Sequence, residues 1–171
     1  TTAIADLDDL TGTGNAYTVT VGTAQVTAAA LKAVDAATTV NVTATAVTQI
    51  TGSAADLADV YGGGITGLGD ETIILTDTTL AAATLTPTVN GYSSVAINAN
   101  SVTTLTGTNA EIVAAYAADT AGTVIIDGDA KLTVSDNITS AEANTLDAKT
   151  TGVITATIST TAIADLDDLT G

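Results

Sequence analysis

VNVTATAVTQITGSAADLADVY, residues 40–61, and VAINANSVTTLTGTNAEIVAAY, residues 95–116, are one pattern met twice at a shift of 55. Val40 falls on Val95, Val42 on Ile97, Val47 on Val102, Ile50 on Leu105, Leu57 on Ile112 and Tyr61 on Tyr116, so apolar positions stay apolar. The alternation Val40, Val42, Ala44 has the period of two of a half-buried strand. A helical stretch follows, with Ser53 placed to cap it and Leu57, Val60 and Tyr61 at i, i+3 and i+4. Thr108 or Asn109 and then Ile112, Val113, Ala115 and Tyr116 repeat the arrangement. Gly62-Gly63-Gly64 and Gly122 read as helix stops and Pro87 as a turn.

A second kind of coil, Tyr17 to Thr39 and Lys131 to Thr151, aligns Val26 with Ile138, Val34 with Leu146 and Asp35-Ala36 with Asp147-Ala148. A looser third copy of the first pattern starts at Val153. It continues at the chain start, because Thr160–Gly171 reads TTAIADLDDLTG and so does Thr1–Gly12: the sequence begins again at Thr160, a period of 159. The whole of 1–171 is thus one window of a tandem array, with modules 40–94, 95–152, and 153–171 equivalent to 1–39 wrapped round the period. A fixed period of this kind is the signature of a solenoid, in which each unit buries its apolar face only against the next copy. The expected fold is a β-rich α/β solenoid of strand, turn and short helix around a parallel sheet, with two coils per module of about 53 residues. Six coils per period at a strand spacing of about 4.8 Å advance roughly 29 Å. Leu57, Ile112, Leu166 and Leu7 are expected at equivalent buried points, as are Val42 with Ile97 and Tyr61 with Tyr116.

The interior must be narrow: the chain has no Phe, Trp, Met, Cys, His or Arg, and its four tyrosines are its only aromatics. Thr, Val and Ile favour strands, and Ala lets a helix approach a sheet closely. A hydrophobic share of 46% separates the chain from charge-rich disordered sequences. Only Lys32, Lys131 and Lys149 oppose nineteen carboxylates, for a formal net charge of −16. Nucleic-acid binding and attraction to anionic membranes are therefore disfavoured. No stretch has the apolar length of a membrane-spanning helix. The absence of cysteine is compatible with an oxidising, extracellular location. Without His, Cys or Arg the usual bases, nucleophiles and oxyanion clamps are missing, so the chain is read as no enzyme.

Two surface features are candidate sites. Thr18/Thr20, Thr43/Thr45 and Thr155/Thr157, with Asn98/Asn100 at the shift of 55, would point outward and align into a ladder that could meet a glycan or another surface. The plainer reading is that Thr suits a solvated strand face, where cross-strand pairs contribute roughly 0.2–1 kcal/mol each. The acidic turns Asp70-Glu71 and Asp127-Gly128-Asp129 occupy the same slot in successive modules and offer oxygen ligands for calcium. Asp6, Asp8 and Asp9, repeated as Asp165, Asp167 and Asp168, form a third cluster, on the wet face of a helix-like segment. The alternative for all of them is charge that keeps a long fibre soluble.

Phrases such as VTTLTGTNAEIVAAYAA (102–118), GGGITGLGDETIILTDTTLAA (62–82) and AEANTLDAKTTGVITATIS (141–159) resemble the repeats of giant Thr/Ala/Val-rich bacterial surface proteins, above all those of marine unicellular cyanobacteria. The resemblance implies a secreted or cell-surface role in a coat, adhesin, motility or filament system. Identical repeats or subunits stacked end to end are then the expected partners, with a structural fibre or stalk as the expected function and an adhesin as the alternative.

Overall fold

The computed structural model describes residues 14–159 and Leu169; Leu7, Leu166 and, apart from Leu169, the rest of both TTAIADLDDLTG segments lie outside the described residues. In chain order the elements are β1 (Gln25–Thr27), α1 (Ala28–Ala36), β2 (Val42–Thr43), β3 (Gln49–Gly52), α2 (Ala54–Gly62), β4 (Ile65–Thr66), β5 (Thr72–Leu75) and β6 (Thr79–Ala81). They continue as β7 (Ile97–Ala99), β8 (Thr104–Gly107), α3 (Asn109–Thr120), β9 (Val124–Ile126), β10 (Lys131–Ile138), α4 (Ser140–Asp147) and β11 (Ile154–Ile158). The chain is α/β, and every strand pair with a defined register is parallel. It divides into two compact units, the described residues up to Thr76 with Val89–Asn98, and Asp77–Thr88 with the described residues from Ala99 on.

In the first unit β1, β3, β5 and β7 lie side by side, in the registers Val26↔Ile50, Ile50↔Ile73 and Ile74↔Asn98. A second, short sheet pairs β2 with β4, Val42↔Ile65 and Thr43↔Thr66, and Thr20 bridges Thr43. In the second unit the order is β6, β8, β10, β11, with Leu80↔Leu105, Leu105↔Leu132 and Leu132↔Ile154 in one column. The expected strand at Val40–Ala44 is thus corrected: only Val42–Thr43 pair there, while the longer strands Gln49–Gly52 and Thr104–Gly107 run directly into α2 and α3. Alternation favours the run with more apolar residues, whereas Ile50 gains its importance from Val26 and Ile73 on either side, which alternation within one segment cannot register.

Each strand-to-helix joint is made by a hydroxyl. Thr27, Ser53, Thr108 and Thr139 sit in extended conformation and accept the backbone N–H of Ala30, Asp56, Glu111 and Glu142, and the last two form full capping boxes with Glu111 and Glu142. The helices bury Leu31 and Val34, Leu57 and Val60, Ile112, Ala115 and Tyr116, and Leu146, and the strand residues Val26, Ile50, Ile73, Leu105 and Leu132 are buried in the same units. Lys32 of α1 reaches Asp59 and Asp56 of α2 at 2.5 and 3.3 Å. Its ammonium is held above the usual lysine range, first by the hydrogen bond to Asp59 and then by that to Asp56, but in solvent such a pair adds little stability.

Threonine does a second job that the sequence reading did not anticipate. Thr39, Thr48, Thr103 and Thr151 each donate both N–H and hydroxyl to a single carbonyl far back along the chain, on Asn15, Ala24, Thr78 and Gly128 respectively. The separations are 24, 24, 25 and 23 residues, so the hydroxyl doubles the hydrogen bond that ties each segment to an earlier one.

The glycine stops act in two ways. Gly122 has φ +74° and its N–H closes on the Asp119 carbonyl at 2.9 Å, a left-handed helix end that a Cβ would strain. Gly63 caps α2 at φ −90°, and its role is clearance: a Cβ there would lie 2.7 Å from Asp35 Oδ2, the oxygen that accepts the Gly64 N–H at 3.2 Å.

Candidate functional site

Gly69-Asp70-Glu71 folds inward. Glu71 has no solvent exposure, while Asp70 beside it is exposed. Glu71 Oε2 accepts the N–H groups of Gly69 and Asp70 at 2.8 and 3.2 Å, and Oε1 accepts the Tyr61 hydroxyl. The ring of Tyr61 lies flat on that of Tyr92, centroids 4.4 Å apart and planes within 2°. Ser93 Oγ donates to the Glu71 carbonyl at 2.7 Å, and the Ser94 N–H to the Gly69 carbonyl at 2.8 Å. A carboxylate cannot be left unpaired inside a protein, and these three donors to its two oxygens are what make its burial tolerable. Tyr61 is half-buried, a correction to the burial expected of it as the equivalent of Tyr116, which is 3% exposed.

The second acidic turn is likewise committed to the fold. The Gly128 carbonyl accepts the Thr151 N–H at 2.9 Å and the Thr151 hydroxyl at 3.3 Å, while the Thr150 hydroxyl donates to the Ala130 carbonyl at 2.6 Å. Asp127 is half-buried, with its own carbonyl bonded by the Ala130 N–H at 3.2 Å, and Asp129 is exposed. Close by in sequence, Asp119 Oδ1 accepts the Ile126 N–H at 2.9 Å. Burial holds the Tyr116 phenol above its usual range, and the charges of Asp119 and Asp127 push the same way. Calcium needs six to eight free oxygen ligands converging on one point. Among the described residues no group of three or more Asp or Glu side chains converges in that way. Glu71 is bonded to Tyr61 and to its own turn, and the Gly128 carbonyl to Thr151 ahead of β11. A chelator is therefore expected to leave the thermal melting midpoint unchanged; a lowered midpoint restored by added calcium would overturn this.

The expected ladder resolves into separate columns. Thr20, Thr43 and Thr66 align through their pairings, and Thr66 was missed by the sequence reading because it stands outside the Thr-x-Thr spacing. Thr18 and Thr45 are exposed beside this column. Asn98 does not join it: it lies opposite Ile74 of β5, in the column of Thr27 and Thr51, and Asn100 is in the turn after β7. In the second unit Thr155 pairs with Thr133 and, beyond a bulge in β10 between Thr133 and Asn137, Thr157 pairs with Asn137. The bulge re-aims Asp136, whose Oδ1 accepts the Asn109 N–H in the first turn of α3 at 2.8 Å.

The network continues through the Asn109 amide to Glu142 Oε1 at 3.2 Å. Bonds from the backbone and then the hydroxyl of Thr139 hold the Glu142 carboxyl below its ordinary range. A carboxyl whose pKa is depressed on folding contributes stability above its unfolded value, and loses it as pH falls through the folded one. Glu142→Gln is accordingly expected to destabilise the chain near neutral pH and to become indistinguishable from the parent in acid, measured by denaturant titration at each pH. An equal cost at both extremes would show that the charge is not involved.

No helix among the described residues is long and apolar enough to cross a membrane. No protein-family model, curated protein or solved structure matches the chain. Of the carboxylates that stood as ligand candidates, Glu71 acts as an acceptor within the fold.

Proposed function

We propose that this chain is one repeat of an extracellular tandem-repeat protein whose work is mechanical, an elongated α/β solenoid that forms a fibre or stalk by stacking coil on coil. The observation that carries the reading is a recurring strand-pairing step inside a chain whose sequence itself repeats. Strand pairing steps along the chain by a nearly even advance, Val26↔Ile50↔Ile73 in one unit and Leu80↔Leu105↔Leu132↔Ile154 in the other, and the sequence itself begins again at Thr160. Parallel strands at such spacing make each coil the template for the next. The net charge of −16 supports the same role, since it keeps neighbouring fibres apart in solution.

Arrays of one, two and four repeats, joined so that Thr160 of one takes the place of Thr1 of the next, test it by small-angle scattering. The maximum dimension is expected to grow by roughly 29 Å per repeat at constant cross-section. Growth of all three dimensions together would overturn the solenoid.

A further inference from the structure

We infer that β11 is a joining edge whose occupant is a second copy of this chain, the Val19–Val21 segment of that copy adding to β11 as the next parallel strand. The inference rests on the solenoid reading and names the contact through which one repeat meets the next. Among the described residues β11 is paired on one side only, by β10. The inward column beneath the sheet is closed at Leu80, Leu105 and Leu132, which are 8%, 0% and 0% exposed. Its next member, Ile154, is only half-buried, as are Ala156 and Ile158, and Val153 is 67% exposed. Ala143, Asn144 and Asp147 of α4, together with Leu169, line the groove above them. Among the described residues the apolar column thus ends on a strand less covered than those before it, and an unpaired strand edge beside such a column favours pairing with another strand.

The spacing identifies the partner. Counted on through the sequence period, Thr20 of the following copy stands as far beyond Thr155 as Ile50 stands beyond Val26 and Asn98 beyond Ile74, both of which are paired. In that register Ile154 meets Val19 and Ala156 meets Val21, apolar with apolar on the inner side, while Thr155 meets Thr20 on the outer side. Val19 and Val21 are 5% and 0% exposed and Thr20 is exposed, so the segment already has the required parity. Thr20 bridges Thr43 on its other side. A precedent stands inside the first unit: β5 receives β3, a strand that leads into a helix, on one side, and on the other β7, a strand followed by a further strand before any helix. The Val19–Val21 segment is of the second kind, since β1 follows it before α1.

The chain has no cysteine, so introduced thiols report the contact directly. Full-length Thr20→Cys and Thr155→Cys proteins are mixed and treated with a short bis-maleimide linker, beside two joined repeats carrying Thr155→Cys in the first and Thr20→Cys in the second. A single chain with Thr20→Cys and Thr43→Cys, a pair already in register, serves as the control. A species of twice the monomer mass in the mixture, and in neither variant alone, is the expected result for separate copies. Coupling within the joined repeats only assigns the contact to covalently continuous copies and supports the inference equally. Coupling of the control with neither of the others overturns the β11 contact and leaves the solenoid standing. Failure of the control overturns both.

Discussion

Leu57→Asp is expected to destroy the cooperative packing of the first unit. Leu57 is fully buried in α2, and an unpaired carboxylate at such a point costs about 3–5 kcal/mol, a large part of the roughly 5–15 kcal/mol that holds a domain together. Ala58→Asp, one residue on and exposed in the same helix, changes local charge and helix propensity alike and is expected to shift stability by no more than about 0.5 kcal/mol. Denaturant titration followed by far-ultraviolet circular dichroism separates them: similar midpoints for the two variants would show that Leu57 does not face the interior.

Glu71→Ala is expected to be nearly as damaging, for the opposite reason. It removes the acceptor and leaves the N–H groups of Gly69 and Asp70 and the Tyr61 hydroxyl without a partner, each at about 1–3 kcal/mol where they are desolvated. Because these residues act together, Tyr61→Phe in the Glu71→Ala background should cost less than it does in the parent, with a coupling of about 0.5–3 kcal/mol. Near-ultraviolet circular dichroism of the stacked Tyr61–Tyr92 pair follows the same event. A loss below about 1 kcal/mol for Glu71→Ala would show the carboxylate to be hydrated and the turn open.

These two residues differ in how well the sequence announced them. Leu57 was legible because three apolar residues at helical spacing behind Ser53 describe a buried face, and the helix is found at Ala54–Gly62 with Ser53 as its cap. Ile112 and the choice between Thr108 and Asn109 as cap follow the same logic, and the structure selects Thr108 because Glu111 completes a capping box with it. Glu71 stood out only as an acidic residue in a turn, the usual mark of an exposed site. Its burial depends on Tyr61, ten residues before it, and on a polar turn that folds back over its own carboxylate. The one available hint was the rarity of aromatics, two of the four tyrosines being stacked here.

By itself the sequence determined the α/β class, the start and stop of α2 and α3, and the inward parity of Val42, Ile97, Leu57 and Ile112, all of them buried. Each of these follows from periodicity or capping within about a dozen residues, where sterics and local hydrogen bonds act. Only the tertiary structure decided which strand lies beside which: that Ile50 stands between Val26 and Ile73, that Asn98 faces Ile74 and not Thr43, and that Thr39, Thr48, Thr103 and Thr151 direct both of their donors at one carbonyl. Those pairings close long loops of chain. A period of two reads the same in every register that preserves parity, so the choice among registers falls to side-chain packing between distant segments, which no single segment encodes.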